Sequence, residues 1–281
     1  MSYKILSLKW RPISFDQIAG QDHITQTLIN AISSNRLAQA FLFSGPRGVG
    51  KTTTARVLAS TINNIEDYTK CLDIIELDGA SNRGIDEIRE IRESVKFAPS
   101  MGKYKVYIID EAHMLTEQAF NALLKTLEEP PKYIIFILAT TDPQKMPQTI
   151  LSRTQRYDFI RIPVNVIRDR LKYILDEEQI KYKENAIELI SKKADGSMRD
   201  ALSILDQVIA YSDELISIDS IRSAIGLINE EDIYELMLNI VNKNLEDTSL
   251  KFNEIIDSGI SANNFMDDIC SFLNDCMLIK I

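Results

Sequence analysis

Cysteine and histidine are scarce in this sequence, whose 281 residues include three of the former and two of the latter. The cysteines, Cys71, Cys270 and Cys276, form no Cys-x-x-Cys pair. An odd and sparse count is typical of reduced thiols, so the sequence predicts a cytoplasmic protein without a disulfide framework. Because structural zinc takes four cysteine or histidine ligands, so small a supply also argues against a metal site of that kind.

A basic excess and a long apolar run are both missing. The formal net charge is -9, whereas a general nucleic-acid-binding surface needs an excess of lysine and arginine. Any DNA contact is therefore expected from a local patch or from partner subunits. No stretch approaches the roughly 20 apolar residues that a membrane span needs. The first twelve residues lack a signal-peptide core, so we expect no contact with a membrane.

Short apolar runs and helical periodicities alternate in the first part of the chain. We predict helices over 50–61, 85–95 and 117–127, and buried strands over 38–44, 72–77, 105–109 and 133–139. This alternation is typical of an α/β fold with a parallel sheet covered by helices on both faces. From Ile167 on, only helical periodicities are visible, interrupted near Gly196, Asp213 and Gly226.

Residues 45–52 read GPRGVGKT and match the P-loop pattern. The segment follows a predicted strand and opens a predicted helix, which is the context that the pattern requires. A chance glycine turn is the plain alternative, but it accounts for neither the spacing nor the context. Lys51 is expected to reach the β- and γ-phosphates, and Thr52 to bind Mg²⁺. The predicted nucleotide contacts are Gly45, Pro46, Arg47, Gly48, Val49, Gly50, Lys51, Thr52 and Thr53.

The predicted strand over 105–109 ends in two acidic residues, Asp110 and Glu111. Acidic residues at a strand end are common, but these two follow the P-loop lysine on a later strand of the same predicted sheet. We expect Asp110 to hold Mg²⁺ through water and Glu111 to orient the attacking water. The tetrad DEAH over residues 110–113 spells the name of a helicase family, yet the other helicase motifs are missing.

Two further polar positions fall where a hydrolase needs them. The strand over 133–139 ends in Ala-Thr-Thr-Asp, and Thr141 is the preferred sensor of the γ-phosphate, with Thr140 as the alternative. Capping of a turn is the ordinary role of such threonines. Arg199 opens a helix of the second part and could reach back to the phosphates, although a surface salt bridge is its ordinary role.

Several longer segments join these motifs in one order: KWRPISF followed by GQ, then LDGASNRGIDEIR, IDEAHMLTEQAFNALLKTLEEPP, LATTDPQKMPQTILSR and GSMRDALSILDQ. With the P-loop, they cover residues 1 to about 226. They closely resemble the tau/gamma subunit family of bacterial DNA polymerase III. Members of this family are clamp-loader motors of the AAA+ class. The resemblance implies an AAA+ ATP-binding core over 1–162, an all-helical lid over 163–226 and a partial helical collar, for oligomerisation, over 227–281.

The resemblance also implies roles for single residues. Arg153, in the place of the family's arginine finger, is expected to act in trans on ATP bound by a neighbouring subunit. Arg199 resembles the family's second sensor, and Arg11 with Pro12 resembles the segment against the adenine. Residues 116–129 look like the helix that faces a neighbour. The candidate residues for contact with the phosphates of primed DNA are Arg83, Arg89, Arg92 and Lys96. The alternative is that they form an ordinary solvated helix face.

The implied cofactors are ATP and Mg²⁺, and the implied partners are the sliding clamp and the other subunits of a five-membered hetero-oligomer. Two features depart from the family. Residues 61–71 retain one cysteine where the family has a four-cysteine zinc module, so we expect no zinc. Thr154 replaces the cysteine that usually follows the arginine finger, and this leaves the role of Arg153 intact.

The resemblance implies an ATPase that loads the sliding clamp onto primed DNA and does not itself polymerise DNA. One alternative is a structural clamp-loader subunit that has lost hydrolysis. It conflicts with the intact set of Lys51, Thr52, Asp110 and Glu111. Another is a different AAA+ DNA remodeller, such as a branch-migration motor or an initiator. The segments over 10–12 and 124–131 favour the clamp loader.

Overall fold

The computed structural model describes residues 4–212, 215–257, 260 and 262–279. The chain divides into two compact units. The first contains the residues up to Arg170 together with Ala194–Asp200, and the second contains Leu171–Lys193 and the residues from Ala201 onward. The expected interruption at Asp213 lies outside the described residues. The finer division at residues 162 and 226 stays a prediction.

The first unit is built on a five-stranded sheet in the order β2-β3-β4-β1-β5, and every neighbouring pair is parallel. Four strands confirm the predicted runs, and the predicted α/β class is therefore correct. The fifth was not predicted, because its sequence, QRYD, is polar and only Tyr157 is buried. The strands are β1 (Ala40–Ser44), β2 (Ile74–Asp78), β3 (Lys105–Asp110), β4 (Ile134–Thr140) and β5 (Gln155–Asp158).

Helices cover both faces of this sheet. Successive side chains of a strand point to opposite faces, so Phe41 and Phe43 of β1 pack in one apolar cluster and Leu42 packs in the other. This double burial explains why the central strands read as continuous apolar runs. The helices of the unit are α1 (Leu6–Lys9), α2 (Asp22–Ser33), α3 (Lys51–Asn63), α4 (Ile85–Ser94), α5 (Glu117–Glu128) and α6 (Gln148–Leu151). Helices α2 and α3 pack on the first cluster, and α4, α5 and α6 on the second.

The second unit is mostly helical. One correction concerns residues 181–182 and 215–216, which form a parallel pair of two-residue strands, β6 (Lys181–Tyr182) and β7 (Leu215–Ile216), where only helices were expected. Two residues are too few to show a period of two. Helix α7 (Val164–Glu177) belongs to the first unit up to Arg170 and to the second unit from Leu171. The other helices are α8 (Glu184–Lys193), α9 (Met198–Tyr211), α10 (Ile218–Ile225), α11 (Glu230–Val241), α12 (Leu245–Asp257) and α13 (Ala262–Ile279).

Polar contacts fix several ends of these helices. Ser217 and Ser220 form a reciprocal capping box at the start of α10. Lys193, at the end of α8, pairs with the buried carboxylate of Asp268 on α13. The second oxygen of Asp268 accepts the backbone N–H of Ile228 at 3.2 Å. Among the helices of the described residues, none has the length and apolar character needed to cross a membrane.

Candidate active site at the carboxyl edge of the sheet

The loop between β1 and α3 has a backbone that glycine alone adopts readily. Gly45, Gly48 and Gly50 have φ angles of 144°, 74° and 104°. A Cβ atom on Gly45 would overlap the carbonyl oxygen of Phe159, which follows β5. Glycine therefore allows both the positive φ and the close approach of another backbone segment. The loop opens α3 at Lys51, as predicted from its sequence.

Lys51 is buried and is held by the loop itself. Its side chain is only 6% exposed, and Nζ donates hydrogen bonds to the carbonyl oxygens of Gly45 at 2.8 Å and Pro46 at 2.6 Å. Burial lowers the pKa of Lys51, and although the carboxylates of Glu111 and Asp110 oppose this shift, the pKa stays below its ordinary value. A poorly hydrated cation at the mouth of a glycine loop is suited to bind an anion.

The P-loop and strand β3 meet through a hydrogen bond between Thr52 and Asp110. Thr52 Oγ1 donates to Asp110 Oδ2 at 2.7 Å, and Asp110 Oδ1 accepts the backbone N–H of Glu111 at 3.0 Å. A hydroxyl and a carboxylate at this separation are the oxygen ligands that Mg²⁺ prefers when it also binds phosphates. These two residues therefore fit a magnesium–nucleotide site. Within the described ranges, no group of three or more His, Cys, Asp and Glu side chains could hold a metal ion.

Glu111 and the end of β4 form the second half of the site. Thr141 Oγ1 donates a hydrogen bond to Glu111 Oε2 at 2.9 Å. Thr140 is fully buried, and its hydroxyl lies 3.0 Å from His113 Nδ1 and accepts the backbone N–H of Asp142 at 3.0 Å. Of the two threonines considered from the sequence, it is therefore Thr141 that contacts Glu111.

Residues 194–200 belong to the first unit and contact the P-loop. The carbonyl oxygen of Gly48 accepts the backbone N–H of Met198 at 3.1 Å and of Arg199 at 3.4 Å. A Cβ atom on Gly48 would overlap Ser197 Oγ. The charge of Arg199 also lowers the pKa of Lys51. The backbone of Arg199 thus contacts the loop, and the proposed role of its side chain stays a prediction, whereas the close contact of Ser197 was not foreseen.

Arg153 lies at the amino edge of the sheet, where the strands begin, and the P-loop lies at the carboxyl edge, where they end. Arg153 stands two residues before β5 begins, whereas the P-loop follows the end of β1. The two strands are parallel and in register, and the four residues of β5 rise by about 13 Å. Its guanidinium pairs with Glu128 at 2.8 Å and donates to the carbonyl oxygen of Thr149 at 2.8 Å. The structure therefore does not bring Arg153 to the P-loop of its own chain.

The remaining candidate residues lie outside this cluster of contacts. Arg11 and Pro12 are half-buried, between α1 and a 3₁₀ helix over Phe15–Gln17. The four basic candidates for DNA contact lie on α4 or within two residues of its ends and are largely exposed. Arg89 and Lys96 pair with the nearby acidic residues Asp86 and Glu93.

Gln21 and His113 are two polar residues at this edge that the sequence did not single out for a role, and the side chain of His113 is 9% exposed. Gln21 is fully buried, and it donates to the carbonyl oxygen of Ile160 at 2.7 Å and accepts the N–H of the same residue at 3.3 Å. This pair of bonds fastens the N-terminal segment to the chain that follows β5. The partner of Gln21 is 139 residues away, and Thr140, which His113 contacts, is 27 residues away, so neither contact could be inferred from the local sequence.

Comparison with known families gives two matches that together cover most of the first 214 residues. The family described as "DNA polymerase III, delta subunit" matches residues 20–163. The family described as "DNA polymerase III clamp loader subunit, ATPase lid domain" matches residues 166–214. The second match lies within the lid predicted over 163–226, and the bounds of that lid stay a prediction.

Curated relatives match over the whole chain. The tau subunit of DNA polymerase III from Bacillus subtilis (strain 168) is 45% identical over 296 residues, covering 100% of this chain and 53% of its own length. The gamma subunit from Buchnera aphidicola subsp. Baizongia pistaciae is 37% identical over 297 residues, covering 100% of this chain and 80% of its own length. The chain belongs to the family of DNA polymerase III tau and gamma subunits. It spans about half the length of the tau subunits that it matches.

Solved structures share the fold of this tau/gamma family member. The RuvB Holliday junction branch migration motor of Thermotoga maritima aligns with a TM-score of 0.63 and 20% sequence identity, covering 95% of this chain and 91% of that one. At this identity the likeness concerns the fold alone, which is the AAA+ ATPase fold expected from the sequence. A branch-migration function is not favoured, because the much closer relatives are tau and gamma subunits.

Proposed function

We propose that this chain is an ATP-hydrolysing subunit of the bacterial DNA polymerase III clamp loader, and that it helps load the sliding clamp onto primed DNA in the cytoplasm. The observation that carries the proposal is the hydrogen bond between Thr52 and Asp110 at 2.7 Å. It joins the P-loop to the acidic end of β3 beside the buried Lys51. Membership of the tau/gamma family supports the choice of a clamp loader over other nucleotide-dependent machines.

In this proposal the P-loop, Gly45–Thr53, holds the phosphates of ATP. The cation of Lys51 exchanges its two carbonyl partners for phosphate oxygens, since an anion satisfies a buried ammonium better than neutral carbonyls do. Thr52 and Asp110 hold Mg²⁺, which supplies positive charge that offsets the charge of the phosphates. Arg11 and Pro12 would border the adenine.

Glu111 orients the water that attacks the γ-phosphate. Its carboxylate is suited to accept a hydrogen bond from water, because Thr141 donates to Oε2 and no described residue donates a side-chain hydrogen bond to Oε1. Thr141 would sense the γ-phosphate through its hydrogen bond to Glu111. Arg199, whose backbone N–H contacts the carbonyl oxygen of Gly48, would couple the position of the lid to the nucleotide.

Arg153 is proposed to act on the nucleotide of a neighbouring subunit. Its position at the amino edge of the sheet, with the P-loop at the carboxyl edge, supports action in trans. Its pairing with Glu128, at the end of α5, also fits the proposal that residues 116–129 face a neighbour. The other partners in the proposal are the remaining clamp-loader subunits, the sliding clamp and the phosphates of primed DNA.

The test of this function is nucleotide binding and hydrolysis by a Lys51→Ala variant. We expect ATP affinity to fall by about 10- to 100-fold, because charge-assisted hydrogen bonds to the phosphates are lost. Calorimetric titration with Mg²⁺-ATP and release of phosphate in the presence of partner subunits, clamp and primed DNA would measure both effects. Lys132→Ala, which removes an exposed lysine at the opposite edge of the sheet, is the matched control. Unchanged affinity in Lys51→Ala would contradict the site.

A structural subunit without hydrolysis is the second candidate. The presence of Glu111 beside Thr141 disfavours it, because a chain that only binds ATP does not need a residue to orient water. Turnover by the unmodified chain in the same assay separates the two, since a structural subunit would bind ATP and release no phosphate.

A further inference from the structure

Packing against neighbouring residues is not enough to fix the orientation of the Glu111 side chain. Its backbone is left-handed, with φ and ψ both 44°, at the point where β3 passes into a 3₁₀ helix over Ala112–Met114. Its side chain is one-third exposed. A carboxylate in that setting rotates freely unless hydrogen bonds fix it, and a residue that orients a water molecule must itself be oriented.

His113 is fixed by the buried end of β4. The side chain of His113 is 9% exposed, and its Nδ1 lies 3.0 Å from the hydroxyl of Thr140. Thr140 is itself immobilised, because its hydroxyl accepts the N–H of Asp142 and its carbonyl accepts the N–H of Gly45 at 3.2 Å. The imidazole is thus anchored on a residue that also bonds to the first residue of the P-loop.

The same ring nitrogen also faces Glu111. His113 Nδ1 lies 3.4 Å from Glu111 Oε2, which is the oxygen that accepts the hydroxyl of Thr141. An ionised carboxylate repels a ring-nitrogen lone pair, so the tautomer with hydrogen on Nδ1 fits this setting: the hydroxyl oxygen of Thr140 lies at hydrogen-bond distance, and Glu111 Oε2 forms a longer electrostatic contact. Two groups on one carboxylate oxygen define the plane of the carboxylate and leave Oε1 directed elsewhere.

We propose that His113 is a positioning residue for Glu111, acting through Nδ1 from its anchor on Thr140. This inference rests on the proposed function, in which Glu111 orients the attacking water. His113 touches neither the nucleotide nor the water in this scheme. Its role is to hold Oε1 in line for the water, and through Thr140 to tie that orientation to the P-loop.

The side chains of asparagine and glutamine distinguish the two ring nitrogens. The amide nitrogen of asparagine falls near the place of Nδ1, and that of glutamine near the place of Nε2. His113→Asn therefore keeps the donor that the proposal needs, and His113→Gln loses it. We expect kcat for ATP hydrolysis to stay within about threefold in His113→Asn and to fall by about 10- to 100-fold in His113→Gln and His113→Ala. The KM and Kd for ATP should change by less than about twofold, because the P-loop contacts remain.

The decisive measurement combines each variant with Glu111→Gln in the chain assembled with its partner subunits, clamp and primed DNA. If His113 acts through Glu111, then His113→Ala causes no further loss of kcat in the Glu111→Gln background. Equal losses in both backgrounds, or equal activity of His113→Asn and His113→Gln, would overturn the proposal. If His113→Ala does not fold, the asparagine and glutamine variants decide alone.

Glu111→Gln separates this inference from the function on which it rests. Loss of hydrolysis in Glu111→Gln together with normal kcat in all three His113 variants removes the positioning role and leaves the ATPase intact. Full activity of Glu111→Gln would instead show that the function of Glu111 itself is wrong.

Discussion

The carboxylate of Asp73 organises the loop that leads into β3. It is 2% exposed and accepts the backbone N–H groups of Ser100, Met101 and Gly102 at 2.6 to 3.0 Å. Burial alone would raise its pKa, but the hydrogen bonds from Gly102, Ser100 and Met101 outweigh burial, and the pKa is lowered. The ionised form of Asp73 therefore stabilises the folded chain.

Asp73→Asn should lower the free energy of unfolding by about 2 kcal/mol at pH 7, because the amide offers one acceptor oxygen to three donors. A group whose folded pKa is lowered stabilises the fold above its unfolded pKa, about 3.9, and this contribution is lost as the pH falls through the folded value. The difference from the unmodified chain should therefore shrink below about pH 4. Urea denaturation at several pH values measures it. Asp86→Asn, on the exposed face of α4, should change stability by less than about 0.5 kcal/mol, and an equal loss in both variants would disprove the argument.

At the residue scale, spacing predicted Lys51, Thr52 and Asp110 because a P-loop and an acidic strand end are both local sequence patterns, even though β4 separates β1 from β3 in the sheet. The choice between Thr140 and Thr141 could not be made securely, since a shift of one residue at a strand end turns the side chain to the opposite face. Gln21 and Ser197 were missed because their contacts join segments far apart in the sequence.

At the element scale, continuous apolar runs predicted β1 to β4, because burial on both faces leaves no polar positions in a central strand. Strand β5 could not be predicted in this way. It is the outermost strand on one side of the sheet, with β1 as its one neighbour, and of its four residues only Tyr157 is buried. Its existence depends on pairing with β1, which is a tertiary effect.

The turn from β1 into α3 offers a comparison of two glycines. Both Gly45 and Gly50 have positive φ, but a Cβ on Gly45 would overlap the backbone of Phe159, and one on Gly50 would meet no atom within 4 Å. We expect Gly50→Ala to lower the free energy of unfolding by about 1–2 kcal/mol through backbone strain alone. Gly45→Ala should cost about 2–4 kcal/mol, because the overlap adds to the strain. Thermal and urea unfolding would measure both, and equal losses would contradict the structural distinction.

At the scale of the whole molecule, the chain matches the family of the DNA polymerase III delta subunit and that of the clamp-loader ATPase lid domain, and it spans about half the length of its tau relatives. Its net charge is -9, so the expectation that any DNA contact comes from a local patch or from partner subunits stays a prediction. Resemblance could indicate such partners, but no periodicity or spacing in one chain encodes which surface meets another subunit.

Arg153→Ala should leave ATP affinity unchanged and lower the DNA-stimulated ATPase of the assembled complex by about 10³-fold, because an arginine finger stabilises charge only in the transition state. Arg156→Ala, which removes a half-exposed arginine from β5, is the matched control and should retain activity. Complexes that mix Arg153→Ala and Lys51→Ala copies should regain part of the activity. At some contacts one copy then contributes the intact P-loop and its neighbour the intact arginine. A mixture as inactive as its components would contradict action in trans.

The separation of the P-loop and Arg153 to opposite edges of one sheet gives the proposed contact a polarity. Each molecule offers a different surface to the molecule before it and to the molecule behind it, so the contact has no two-fold axis and propagates head to tail. In a row that does not close on itself, the last P-loop faces no arginine and the first arginine faces no P-loop. Such a row holds one fewer complete hydrolytic centre than it has members, and its two ends are chemically unlike.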